Sequence, residues 1–239
     1  MTLSHALRIP LAALAMLTVA AIVVPSAAAK ISGPCQATIN SQSVKDQGTG
    51  AFANPISVGN DAVVPVTMSA GSEISHLKIQ IQFAGMSWTV RDKASHGKSW
   101  SSDVKVKNYA KWGVGLYKVV GSSSGGVSCS GSALVKVKDN PLTTVAGIVG
   151  LVAALMGLGG IGAAVAMTMR AGALSFGRSL GGAVFGLIAG LGLAVLAQEY
   201  SLMYPTLGAA VSSVGLGALF GIGLVFIGKL VGSSVAIAD

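Results

Sequence analysis

The apolar and polar positions divide the chain into three parts. An apolar run over 9–24 follows His5 and Arg8, a polar stretch follows it, and three long apolar segments begin after Pro141. Within the polar stretch, residues 76–83 alternate strictly between apolar and polar side chains. This period of two predicts an antiparallel strand with one face in water.

The three C-terminal apolar segments have the length of membrane-spanning helices. They run over about 142–169, 179–197 and 206–228 and contain no Asp, Glu, Lys, Arg or His. At about 1.5 Å per residue, each reaches the roughly 30 Å of a bilayer core. The first is longer than needed, so we expect it to tilt or break at its glycine-rich stretch 157–162. The lack of ionisable groups at depth argues against a secondary transporter.

The N-terminal apolar run has the order of a secretory signal. A charged start and an apolar middle lead to three alanines at 27–29, which predicts a signal peptide over 1–29. An uncleaved anchor helix is the alternative. In both cases residues 30–140 are extracytoplasmic. Arg170 and Arg178 in the first helix connection and Lys229 after the third segment then place the C-terminus in the cytoplasm.

The region 30–140 is predicted to be a single all-β domain. Turn-forming residues separate short candidate strands at 36–40, 62–68, 76–83, 87–91, 104–107, 115–120 and 132–138. Strands of this number and spacing predict a β-sandwich, Ig-like in architecture, with no amphipathic helix among its strands. Trp88 lies too far from Cys35 to be the core tryptophan of a true immunoglobulin domain. The fold class is therefore an extracytoplasmic sandwich followed by a bundle of three transmembrane helices.

Cys35 and Cys129 are the only cysteines of the chain, and both lie in the predicted exported domain. In an oxidising compartment, such a pair predicts a disulfide. The rival is a metal site, which two cysteines without nearby histidine ligands support poorly. We expect neither a metal nor a cofactor.

Small residues recur every four positions in the second and third apolar segments. They are Gly182, Gly186 and Gly190 in the second, and Ser213, Gly217 and Gly221 in the third. Residues four apart share one helix face, so each set forms a groove that another backbone can approach closely. Packing within the chain is one interpretation. The other leaves one groove for a second subunit, either of this chain or of another membrane protein.

Composition supports a membrane protein with a basic exported domain. The chain is 52% hydrophobic and 10% charged, whereas a soluble domain carries about 25% charged residues. Region 30–140 holds twelve basic residues against six acidic ones. Aromatic and basic side chains mix in one stretch: Trp88, Trp100, Tyr109, Trp112, Lys105, Lys107 and Lys111.

This aromatic and basic stretch predicts a surface for an anionic envelope polymer, lipid headgroups or a glycan. The alternative is that the tryptophans form the core while the lysines keep strand edges soluble. Nucleic acid is disfavoured as a partner by the compartment.

The sequence offers little catalytic chemistry. It contains no G-x-S-x-G, H-E-x-x-H, Walker or Rossmann motif. His76 and His96 are the only histidines of the domain, and the polar segment 91–98 is expected to be a solvated hairpin loop. We therefore expect no catalytic residue, although an envelope enzyme using these histidines is a third hypothesis.

The connection between domain and membrane is short. Only residues 138–141 separate the last strand from the first apolar segment, a reach of about 14 Å at about 3.5 Å per residue. The domain must therefore lie close to the membrane surface. These features predict a non-enzymatic envelope membrane protein that presents a binding or assembly module. The alternative is a small channel or transport-complex subunit whose sandwich caps the entrance.

Overall fold

A computed structural model describes residues 30–44, 54–83, 85–94, 97–125 and 128–235. The predicted signal peptide over 1–29 lies outside the described residues, as does His96. The chain has a β-sheet-rich N-terminal domain followed by three long apolar helices. It divides into two compact units. One holds the described residues up to 148 together with 195–209, and the other holds 149–194 and 210–235.

Ten strands and one short helix form the described part of the β domain. The strands are β1 (Lys30–Ser32), β2 (Gln36–Ile39), β3 (Gln42–Ser43), β4 (Ile56–Gly59), β5 (Val63–Ser69), β6 (His76–Phe83), β7 (Met86–Ala94), β8 (Ser99–Lys105), β9 (Gly115–Ser124) and β10 (Cys129–Lys138). Helix α1 (Lys107–Ala110) lies between β8 and β9.

The strands form two sheets. The six-stranded sheet follows the order β1-β10-β9-β6-β7, and β4 also pairs with β10. The four-stranded sheet follows the order β3-β2-β5-β8. Neighbours are antiparallel except β4 and β10, which run parallel with Val135 opposite Ile56. The end of β10, the start of β9, the end of β6 and the start of β7 therefore lie at one end of the larger sheet.

The alternating segment forms β6 with the predicted bounds, and its Leu77, Ile79 and Phe83 are buried. Two expectations are wrong. The strand predicted over 104–107 is the end of a longer β8, because residues 106–110 turn into α1, where Ala110 N donates to Val106 O. A helix of four residues, α1, thus lies among the strands. The segment 91–98 is also not simply a loop, since β7 extends to Ala94.

Two hydrophobic clusters combine residues from both sheets. The larger includes Ile39 and Val64 of the smaller sheet together with Tyr117 and Val135 of the larger. The second cluster surrounds the disulfide between Cys35 and Cys129, whose Cα atoms are 6.1 Å apart. The disulfide closes a sequence separation of 94 residues and joins the approach to β2 with the start of β10.

The three long helices are α2 (Val145–Ala171), α3 (Phe176–Glu199) and α4 (Leu207–Val235), and each is long and apolar enough to cross a membrane. Local residues explain their ends. Gly172, with φ +61°, ends α2, Ser175 precedes α3, and the Thr206 hydroxyl accepts from Ala209 N at the start of α4. Helix α2 is continuous through 157–162, so of the two expectations for this stretch, tilt or break, the break does not occur.

The small residues of α3 and α4 bring the two helix backbones together. A Cβ built on Gly186 would lie 2.2 Å from Gly217 O, and one on Gly182 would lie 2.8 Å from Gly221 O. A Cβ on Gly190 would lie 2.6 Å from Ser213 O. No side chain larger than hydrogen fits at these positions while the backbones stay in place.

Candidate functional site

A buried polar junction joins the start of β9 to the end of α3. It consists of residues 113–117, Thr144, Gln198 and Glu199, and we call it the β9–α3 junction. Gln198 and Glu199 are 0% and 2% exposed. Gln198 Nε2 donates to Leu116 O at 3.1 Å. The end of an apolar helix is thereby fixed to the β domain by polar side chains shielded from water.

Glycine permits the close approach at this junction. Gly115 has φ +89°, in the left-handed region that favours glycine. A Cβ at this position would lie 2.3 Å from the carbonyl oxygens of both Gln198 and Glu199. The backbone of β9 therefore touches the last turn of α3, with no room for a side chain between them.

The Glu199 carboxylate is only partly satisfied. Its Oε2 accepts from Val114 N at 3.0 Å and from Thr144 Oγ1 at 3.2 Å. Its Oε1 is buried beside Gly113 and Phe83 and has no hydrogen-bond partner in the part of the chain that the structure describes. A buried acceptor without a partner is costly, so it marks a constrained position.

Thr144 links this carboxylate to the start of α2. Its Oγ1 accepts from Gly147 N at 3.0 Å, as expected of an N-terminal cap. The same hydroxyl lies 2.8 Å from Pro141 O, which is a second acceptor for its hydrogen. Because a hydroxyl has one hydrogen, Pro141 O and Glu199 Oε2 compete for it. Val114 N–H is then the donor fully committed to Glu199.

Tyr117 completes the surroundings of the junction. Burial raises the pKa of its phenol above the ordinary value of 10.0, and the charge of Glu199 raises it further. The phenol therefore stays neutral and donates to Gly113 O. Its ring stacks on Phe83 with centroids 4.8 Å apart. These contacts hold the glycine that faces Glu199 Oε1.

Replacing Glu199 by alanine should destabilise the β domain. The Val114 N–H would lose its acceptor inside a buried site, at a cost of about 1–3 kcal/mol. Glu199→Gln retains an amide oxygen that can accept from Val114 N, so its free energy of unfolding should fall clearly less. Thermal unfolding in mild detergent, followed by tryptophan fluorescence, measures both. Equal midpoints for Glu199→Ala and the unsubstituted protein would contradict a role in holding the junction.

The aromatic and basic stretch is spread over several elements. Trp100 on β8 packs against the cluster around the disulfide, and half-buried Tyr109 in α1 lines an internal cavity. Trp88 on β7 and Trp112 after α1 are 43% and 59% exposed. Lys111 Nζ lies 5.5 Å from the centre of the Trp112 ring, and Lys105 and Lys107 are also exposed. Trp100 and Tyr109 thus belong to the interior, and the rest to the surface.

Two apolar cavities of about 60 Å³ each lie within the β domain. Both are lined by Ile39, Val66, Ile79 and Val119. Ligand sites typically measure about 300–1,000 Å³, so these voids are too small for a drug-sized molecule. They are gaps in core packing.

Among the described residues, the candidate histidine chemistry consists of one exposed pair, His76 and Asp92. His76 Nε2 lies 2.8 Å from Asp92 Oδ1, and both side chains are about half exposed. Arg91 on the same strand donates from Nη2 to Ser102 Oγ at 3.3 Å. Among the described residues, no group of three or more His, Cys, Asp or Glu could hold a metal ion.

Comparisons with known proteins return no family model and no curated relative that matches the chain. Parts of solved structures match. An LPMO from Kitasatospora papulosa matches 37% of this chain and 53% of its own at 8% identity and TM-score 0.29. T. fusca AA10A matches 36% and 53% at 10% identity and TM-score 0.30.

A Jonesia denitrificans lytic polysaccharide monooxygenase matches 36% of this chain and 59% of its own, at 6% identity and TM-score 0.25. This chain therefore spans only slightly more than half of each of these structures. The likeness falls on part of the chain.

Proposed function

We propose that this chain is a non-enzymatic integral membrane protein of the cell envelope that presents an extracytoplasmic binding or assembly module close to the outer membrane surface. The β9–α3 junction carries this proposal. Gln198 and Glu199 hold the end of an apolar helix against the β domain through buried hydrogen bonds. A domain held in this way acts at the membrane surface and not at the end of a flexible tether.

The proposed module is a β-sandwich, Ig-like in architecture. Its two sheets share both hydrophobic clusters, which supports face-to-face packing. The disulfide adds support for an oxidising compartment outside the cytoplasm. Arg170 and Arg178 near the α2–α3 connection support a cytoplasmic location for that connection and for the C-terminus.

Thiol labelling in intact cells tests the sidedness. Ser72→Cys, in a background lacking both native cysteines, should react with a membrane-impermeant maleimide, because Ser72 is exposed and the β domain faces outward. Loss of the disulfide should also lower the free energy of unfolding by up to roughly 4–5 kcal/mol, because the unfolded chain gains entropy. The matched control is Ala173→Cys in a background lacking both native cysteines, since Ala173 is exposed in the α2–α3 connection. Labelling at Ala173→Cys without permeabilisation would contradict the orientation.

The proposed partners are further copies of this chain, other membrane subunits, or an anionic polymer or glycan of the envelope. Several helical glycines, including Gly159, Gly162 and Gly215, have no atom within 4 Å of an added Cβ. These positions leave space for another helix, which supports an assembly.

Purification in mild detergent, followed by mass measurement of the intact complex, tests the module. We expect a defined oligomer or a stoichiometric partner. A lone monomer that retains no envelope ligand would contradict the proposal. Solute flux through liposomes containing an oligomer would instead favour a channel or transport-complex subunit.

A further inference from the structure

The exposed large apolar side chains of the β domain lie toward one end. In the described part of residues 30–140 they are Val63, Met86, Trp88 and Trp112. Val63 begins β5, Met86 begins β7, and Trp112 directly precedes β9. Antiparallel pairing places the starts of β7 and β9 at the end of the sheet where β10 stops and the chain turns toward α2. The opposite end, which carries the disulfide, has no such side chain among the described residues.

Hydrogen bonds place this end at the start of a candidate membrane span. Lys111 O accepts from Val145 N at 3.2 Å, and Trp112 O accepts from Ala146 N at 2.8 Å. Val145 and Ala146 are the first residues of α2. Trp112 therefore lies level with the first turn of an apolar helix. At this contact the side chain of Trp112 is 59% exposed and that of Val145 is 48% exposed.

Neighbouring segments extend the same apolar surface. Leu142, in the turn before α2, is 45% exposed. In the α3–α4 connection, Tyr200 is 50% exposed and Leu202 is 78% exposed. We call the set of Val63, Met86, Trp112, Leu142, Tyr200 and Leu202 the apolar rim. A soluble domain that faced only water would not collect these side chains at one end.

Charge at this end is weakly basic. Lys105, Lys107, Lys111, Lys136 and Lys138 lie there with Asp61, Asp103 and Asp139, and Asp139 accepts from Asn60 Nδ2. An excess of two positive charges does not by itself account for the exposed apolar side chains. Tryptophan and tyrosine rings, by contrast, collect where hydrocarbon meets headgroups, because one edge of each ring is polar.

We propose that the apolar rim inserts into the headgroup region of the bilayer that holds the three helices, with phospholipid as its binding partner. This inference rests on the proposed placement of the β domain at the membrane surface. The rim is then a permanent lipid contact of the domain, carried by its aromatic and apolar side chains. The opposite end of the domain remains available to other partners.

The three tryptophans of the chain provide the test. Two single-tryptophan variants of the full chain are reconstituted into phosphatidylcholine nanodiscs with a spin label on the lipid headgroup. One retains Trp112 and carries Trp88→Phe and Trp100→Phe, and the other retains Trp100. Trp100 is the matched control, because it lies on β8 opposite Met68, away from the α2 end. We expect Trp112 to be quenched several-fold more strongly than Trp100.

A second measurement avoids the tryptophan substitutions. Leu202→Cys and Ser72→Cys, each labelled with an environment-sensitive fluorophore, compare the rim with an exposed site away from it. A blue shift at Leu202→Cys alone supports the inference. Equal quenching of Trp112 and Trp100, or equal spectra at the two labelled sites, would overturn it. Quenching that requires anionic lipid would also overturn the assignment of the contact to apolar side chains.

The outcomes separate this inference from the function on which it rests. If Trp112 is quenched but no partner or oligomer is recovered, the lipid contact stands and the assembly module fails. If a defined complex is recovered while Trp112 in nanodiscs is quenched no more than Trp100, the proposed assembly module is supported and the proposed lipid contact is wrong.

Discussion

Gly186→Leu is expected to separate α3 from α4 and to lower stability by about 3 kcal/mol or more, beyond the usual range for overpacking because backbone blocks the new side chain. Its Cβ would lie 2.2 Å from Gly217 O and 3.0 Å from Ala218 Cα. Backbone atoms of a packed helix cannot rotate away as a side chain can. The helices would have to move apart along the whole contact with Gly217 and Gly221. Unfolding by SDS titration, followed by circular dichroism, measures the loss.

Gly181→Leu is the matched control for this substitution. Gly181 lies in the same helix, but a Cβ there would meet no atom within 4 Å. Leucine also has the higher helix propensity, so the control should be neutral or slightly stabilising. If Gly186→Leu and Gly181→Leu unfold at the same detergent concentration, close packing of α3 on α4 is wrong.

Gly115→Ala should open the β9–α3 junction. The φ of +89° costs an alanine about 1–2 kcal/mol, and overpacking adds about 1–3 kcal/mol. The methyl group would lie 2.3 Å from two carbonyl oxygens, so β9 and the end of α3 must separate. Release of the α3–α4 connection should also speed chymotrypsin cleavage at exposed Tyr200. Limited proteolysis in mild detergent reports this opening directly.

Gly121→Ala provides the comparison within the same strand. Gly121 lies in β9 with no atom within 4 Å of an added Cβ, and its φ is not positive. Alanine there should change stability by less than about 0.5 kcal/mol. Equal cleavage rates for Gly115→Ala and Gly121→Ala would contradict the tight junction.

Local patterns in the sequence predict those elements that are determined by nearby residues and by the surrounding solvent or lipid. Alternation alone predicts β6, because Leu77, Ile79 and Ile81 need only one apolar side to pack against. The three long helices follow from length and from the lack of charge. In both cases a short window of sequence contains the whole physical cause.

Other features depend on contacts between distant segments. β4 has four residues, and its parallel pairing with β10 joins Ile56 to Val135 across most of the domain. In the sequence, Glu199 is simply a charge in a helix connection. Its burial follows only once Val114 and Thr144 fold onto it. One available signal is the pair of polar residues, Gln198 and Glu199, at the end of an apolar helix.

Trp100 is a second residue whose position cannot be predicted from its neighbours in sequence. Its neighbours in sequence are serines, which favour a surface position. Pairing of β8 with β5 sets it opposite Met68, and the cluster around the disulfide covers its ring. The mixed aromatic and basic stretch therefore could not be divided into core and surface without the strand register.

The hydrogen bonds from Val145 N and Ala146 N to the carbonyls of Lys111 and Trp112 also restrict how α2 adapts to bilayer thickness. A helix of 27 residues is about 40 Å long, which exceeds a hydrocarbon core of about 30 Å. Its first turn cannot slide along the membrane normal without breaking contacts with the β domain. In a thinner or thicker bilayer, the adjustment must therefore come from tilt or from the opposite end of the helix, where the long side chain of Arg170 can reach the headgroups.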